Sequence, residues 1–145
     1  MENILKYENR QILYQFLVDD YGFKIKEEKD YKALGYYSDL VGNFFLLRYY
    51  NDRDVLSIDI ASKADINNRY ALSFIKDLIY NPDAINSDEN IKGNTTRMNE
   101  LNDFLRKDFD KICELFSEAN YHDTKKRLDE GLRKQFFLKH PDAKA

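Results

Sequence analysis

Cysteine is almost absent from this chain of 145 residues: Cys113 stands alone, so neither an internal disulfide nor a multi-cysteine zinc site can form. Only two histidines, His122 and His140, are present, which leaves few ligands for a transition metal. No apolar run approaches the roughly 18 residues of a membrane helix, and the start Met1 to Lys6 lacks the basic opening and long apolar stretch of a signal peptide. A cytoplasmic protein without membrane contact is expected. Charge of one sign is lacking too: 26 acids face 23 lysines and arginines, a formal net charge of -3. A strongly basic nucleic-acid binder and an acidic disordered chain are both disfavoured. There is no glycine-rich phosphate loop, no G-x-S-x-G nucleophile elbow, no His-Glu-x-x-His pair and no calcium-loop pattern. What is present is 43% hydrophobic residues, enough for one core and one domain over 1–145, with no internal repeat.

Hydrophobic spacing divides the chain. Ile4, Leu5, Ile12, Leu13, Phe16 and Leu17 share a helical face that ends near Asp20, with Gly22 supplying the left-handed stop. A strand begins at Phe23 and Ile25. From Leu34 to Ser62 aromatic and branched residues dominate, broken at Gly35, Gly42-Asn43 and Asn51 to Asp54 by turn-forming residues. The stretch Asn43 to Tyr50 is apolar on both faces and reads as a central strand. Val55 to Ala61 alternates, with Leu56, Ile58 and Ile60 on one side and Ser57 and Asp59 on the other. Such short connections favour an antiparallel meander.

After Asn67-Asn68, which can cap a helix, Tyr70, Ala71, Phe74, Ile75, Leu78 and Ile79 recur at helical spacing until Asn81-Pro82. Residues 81 to 95 read as a long surface connection. Thr95 or Thr96 caps a long helix with a stripe of Met98, Leu101, Leu105, Phe109, Ile112 and Phe116, which either packs internally or seals a homodimer. A final helix starts at Asp123 or Thr124, carries Leu128, Leu132 and Phe136, and ends before Pro141. The expected fold is α+β: an N-terminal helix, an antiparallel sheet of three to four strands and three C-terminal helices.

Candidate chemistry is sparse. The pairs Asp19-Asp20, Glu27-Glu28, Asp52-Asp54 and Asp108-Asp110 stand beside turns or point to opposite strand faces, so spacing does not assemble a general acid and base. Cys113 belongs to the apolar side of the long helix and reads as core. Residues 121 to 145 hold seven basic and four acidic groups, against 16 and 22 before them, and the basic residues read as the solvated face of a terminal helix, making nucleic acid an unfavoured partner. Arg133 and His140 resemble the Arg and His of HEPN ribonucleases in spacing, an alternative that would make the chain an RNase. The clearest surplus is aromatic: eleven Tyr and ten Phe. Tyr31, Tyr36, Tyr37, Tyr49 and Tyr50 cluster about the expected sheet among Asp39, Asp52, Asp54 and Asp59, suiting a sticky acidic surface for a basic protein. Stacking-capable tyrosines with the basic last helix leave a nucleotide-like ligand as the other alternative.

Phe16-Leu17, Tyr21-Gly22-Phe23, Ala33-Leu34-Gly35, Leu46-Leu47-Arg48, Asn51-Asp52-Arg53 and Ile58 to Ser62 together make residues 10 to 80 resemble small bacterial immunity-type proteins of polymorphic toxin systems. The resemblance implies a noncatalytic protein without cofactor or metal that binds and neutralises a cognate protein toxin. Arg48, Arg53 and Asp59 are the matched positions. Arg48 and Asp59 could equally pair across strands, and Arg53 could hold the turn. Partner contacts are expected from Tyr36, Tyr37, Asp39, Tyr49, Tyr50, Asp52, Arg53 and Asp54.

Overall fold

A computed structural model describes residues 5–84 and 95–142. After a 3-10 turn at Tyr7–Asn9 comes α1 (Gln11–Tyr21), then strands β1 (Lys24–Asp30), β2 (Gly35–Val41), β3 (Phe45–Asp52), β4 (Val55–Ser62) and β5 (Tyr70–Ala71). Helices α2 (Leu72–Tyr80), α3 (Thr95–Leu115) and α4 (Tyr121–Lys139) follow. The strands pair antiparallel in the order β1-β2-β3-β4-β5. The fold is the expected α+β arrangement with one more strand.

Alternation decides which sheet face the helices cover. Leu40, Phe45, Leu47, Tyr49, Leu56, Ile58 and Ile60 are buried and join Leu13, Tyr14 and Leu17 of α1, Leu72 and Ile75 of α2, and Met98, Leu101, Leu105 and Ile112 of α3 in one core. Burial of this set is the main stabilising contribution. The α3 stripe is therefore consumed internally and is not a dimer seam. The opposite sheet face, carrying Tyr37, Arg48, Tyr50 and Asp59, stays half-exposed.

Several boundaries differ from the sequence reading, each for a local reason. Gly22 does end α1 in the left-handed conformation (φ 70°). The first turn of that helix, however, forms only at Gln11, which leaves Leu5 in a separate turn packed against the core and Ile12 exposed; Ile4 lies outside the described residues. Tyr70 and Ala71 pair with Ile60 and Asp59 as β5, and the Tyr70 hydroxyl donates to Asp129 at 2.7 Å, so α2 starts only at Leu72. β3 is central, yet its burial alternates along the strand, because its outer face has no helix-derived core residues against it. Helix α4 begins at Tyr121, two residues before Asp123. Most of the expected 81–95 connection, residues 85–94, falls outside the described residues, and α3 is already helical at Thr95.

Candidate functional site on the outer sheet face

The β2 and β3 strands pair in register, placing Tyr37 opposite Tyr50 and Asp39 opposite Arg48, all directed away from the core. Arg48 donates from Nε to Asp39 Oδ1 at 2.6 Å and from Nη2 to Asp39 Oδ2 at 2.8 Å, a two-pronged pair that fixes its plane. Its guanidinium lies over the Tyr37 ring, 4.0 Å from the centroid. The Tyr37 hydroxyl in turn donates to Glu27 Oε1 at 2.7 Å, and this bond pushes its pKa up to about 12. Glu28, the neighbouring acid, points to the other face and pairs with Arg10. Tyr37 is thus a neutral, rigidly held hydroxyl-bearing ring.

Beyond the sheet, a 3-10 turn at Lys32–Leu34 adds Tyr31 and Leu34, 52% and 59% exposed. The Tyr31 ring centroid lies 6.0 Å from that of Tyr37. Tyr31, Leu34, Tyr37, Arg48, Tyr50 and Arg53 line a shallow groove of about 410 Å³. The turn is held at two points: Tyr31 N–H donates to the carbonyl of Gly35, the first residue of β2, at 2.8 Å, and the N–H of Arg53, in the β3–β4 turn, donates to the Leu34 carbonyl at 3.1 Å.

The sequence-named residues divide. Tyr36, Tyr37, Arg48, Tyr50, Asp52 and Arg53 all border this groove, although Tyr36 is only 3% exposed and offers little beyond an edge. Burial pushes its pKa up to about 12. Tyr49 belongs elsewhere: it is fully buried, and its hydroxyl donates to Asn102 Oδ1 at 2.6 Å. Strand parity is the reason, because Arg48 marks the outward set and Tyr49 belongs to the other. Asp39 is buried beneath Arg48 and presents no free charge. Asp54 is exposed at the hairpin tip beside Arg53. Both have positive φ (53° and 70°), the two-residue hairpin geometry that glycine favours, and the Asp54 N–H is held by Asn51 Oδ1 at 2.7 Å. The side-chain bond within this turn thus comes from Asn51, while the Arg53 N–H reaches across to Leu34. Tyr31 and Leu34 were not among the expected contact residues; an exposed turn between two strands carries no periodic signal.

The expected Arg48–Asp59 pair does not form. Asp59 stands opposite Arg48 on β4, but Arg48 turns to Asp39, leaving Asp59 beside Arg69 and Ile66 in a small cavity. Burial raises the Asp59 pKa to about 6, with Arg69 and Arg48 opposing the shift. A carboxyl raised in the folded state binds its proton more tightly than in the unfolded chain, so the contribution of this group to stability is fullest below about pH 4 and is lost as pH rises through about 6. Asp59→Asn is expected to abolish that dependence and to stabilise the protein at neutral pH by on the order of 1 kcal/mol. Urea unfolding at pH 4.5 and 7.5 checks this, and equal pH dependence in both proteins would contradict it.

The electrostatics differ from the expected acidic sheet. Residues 24 to 71 hold eight basic and eight acidic groups, whereas the described residues 72–84 and 95–120 hold five and eight. The excess acid lies with the stretch that carries α2 and α3. Cys113 is half-buried against the core, and burial pushes its thiol up to about 11, far from the reactive range. Arg133, on α4, and His140, the residue just after it, are both exposed, the first over Phe137 at 5.7 Å and the second with its ring 4.7 Å from that of Phe136, and neither borders the outer-face groove. No cluster of three or more histidine, cysteine, aspartate or glutamate side chains suited to a metal occurs among the described residues. Nor is any described helix long and apolar enough to cross a membrane. No protein-family model, curated protein or solved structure matches the chain.

Proposed function

We propose that this chain is a noncatalytic immunity-type protein that binds and neutralises a cognate protein toxin through the outer face of its sheet. The observation that carries the reading is the row Tyr31, Tyr37 and Tyr50 with Leu34 along one open groove, with Arg48, itself paired to Asp39, lying over the Tyr37 ring. Tyrosines fixed in this way supply large contact area with little entropy left to lose. The near-neutral sheet supports recognition by ring contacts and hydrogen bonds more than by charge steering. Co-expression with the C-terminal domain of a large secreted protein encoded beside this chain tests the reading. A stable one-to-one complex and rescue of growth are expected; free passage of both proteins through gel filtration would contradict it.

One observation favours a second reading, a nucleotide-like ligand. The groove volume falls in the range of small-molecule sites, and Arg53 stands at its rim near three tyrosines. Thermal stabilisation by a single nucleotide, lost in Arg53→Ala, would replace the first reading with this one.

A further inference from the structure

Asp59 stands on the same sheet face as the tyrosine groove and shares a wall with it. Strand register puts it directly opposite Arg48, and puts Ser57, its β4 neighbour on that face, directly opposite Tyr50. Arg48 therefore borders both the groove and the small cavity of Asp59, where Arg69 and Ile66 also stand. Asp59 and Tyr50 are diagonal neighbours across the strand pair, roughly 7 to 8 Å apart.

Both prongs of Arg48 are engaged by Asp39, and no described residue bonds to the Asp59 carboxyl. The charged and titratable groups that face it are Arg48 and Tyr50 on β3, Asp39 on β2 beside Arg48, and Arg69 in the segment before β5. Its β5 partner, Ala71, carries none. Burial pushes the Tyr50 hydroxyl up, so it stays neutral wherever a carboxyl titrates. Arg69 is exposed and favours the ionised carboxyl without touching it, which leaves water over the open face as the closest support of the charge. A specific protein interface buries about 800 Å² on each partner. A patch of that size centred on Tyr37 and Tyr50 extends well beyond one strand spacing of about 4.8 Å and so covers Asp59. The sheet's balanced charge offers a cationic partner surface no net acid to match.

We propose that docking of the partner on the outer sheet face is coupled to uptake of a proton from solvent by the Asp59 carboxylate, so that the complex tightens as pH falls. The inference rests on the outer-face reading of function and adds its regulation. Partial burial in the free protein already raises the carboxyl to about 6, and a partner that removes the remaining water acts in the same direction. A group whose pKa is higher in the complex than in the free protein favours binding most below the free value, and that contribution is lost as pH rises through the value in the complex.

Isothermal titration of wild type and Asp59→Asn against the toxin domain captured by co-expression tests it, at pH 5.5 and 7.5 and in two buffers of different ionisation enthalpy. The wild type is expected to bind at least about fivefold tighter at pH 5.5, as a rise of about one pKa unit on binding requires. The buffer comparison should show proton uptake by the wild type, a readout that needs no variant. Asp59→Asn, which is always neutral, should bind at pH 7.5 about as tightly as the wild type at pH 5.5 and lose both the pH dependence and the uptake. Equal pH dependence in the two proteins would overturn the coupling and leave outer-face docking intact. So would wild-type binding that tightens as pH rises, the result of a partner cation set against Asp59. Failure to form any complex, or an affinity indifferent to loss of Tyr37 and Tyr50, would instead overturn the outer-face reading and this inference with it.

Discussion

Gly35→Ala is expected to destabilise the protein by at least ~3 kcal/mol and to lower the melting temperature by roughly 10 °C. Two effects add. Gly35 has φ 124°, a region closed to residues with a side chain, and a Cβ there would sit 1.8 Å from the Asn51 carbonyl oxygen. That oxygen belongs to the backbone of the neighbouring central strand and has no flexible end to swing aside. Relief therefore requires β2 to separate from β3 at the point where the Lys32–Leu34 turn leaves the sheet. Tyr31 and Leu34 hang from that turn, so the same substitution should blunt partner binding as well as stability. Differential scanning calorimetry reads the first effect, and a melting temperature within about 2 °C of wild type would show that the strand pair can yield.

Asn102→Leu is expected to destabilise by about 3 kcal/mol although it replaces a polar side chain in the core with an apolar one. Asn102 is 5% exposed, accepts from the Tyr49 hydroxyl at 2.6 Å and donates through Nδ2 to the Leu13 carbonyl at 2.8 Å. One amide thereby ties α3 to both β3 and α1. Leucine strands the Tyr49 hydroxyl without a partner in a site that water cannot reach, and burial already holds that group well above its ordinary pKa. Tyr49→Phe alone should be milder, because Asn102 keeps its bond to Leu13. The double variant should recover part of the loss of Asn102→Leu, since removing both partners leaves no orphan. Chemical denaturation of the three variants checks this, and strictly additive losses would contradict the coupling.

These two residues also show where sequence reasoning stopped. The meander was legible because Gly35, Gly42-Asn43 and the Asn51 to Asp54 turn punctuate three β-rich runs, and all three turns fall where composition placed them. The site was half legible. Tyr49 and Tyr50 look alike in composition, and so do Tyr36 and Tyr37, but strand parity separates each pair. A charged residue marks the solvent side, so Arg48 assigns Tyr50 outward and Asp39 assigns Tyr37 outward, a signal present in the sequence. The partner of Arg48 was not legible, because Asp39 and Asp59 are both its cross-strand neighbours and only side-chain geometry separates them. Asn102 interrupts no apolar position of the α3 stripe, and its burial follows from Tyr49 reaching across the core, a contact 53 residues apart in sequence.

The measurement that bears most directly on the outer-face reading is the affinity of Tyr37→Ala/Tyr50→Ala for the toxin domain that the proposed co-expression captures, by isothermal titration against wild type. Both rings lie outside the core, so the melting temperature should change little. Binding at least about 100-fold weaker is predicted, as expected when two central aromatic anchors are removed. Unchanged affinity in a folded double variant would show that the partner docks on some other surface.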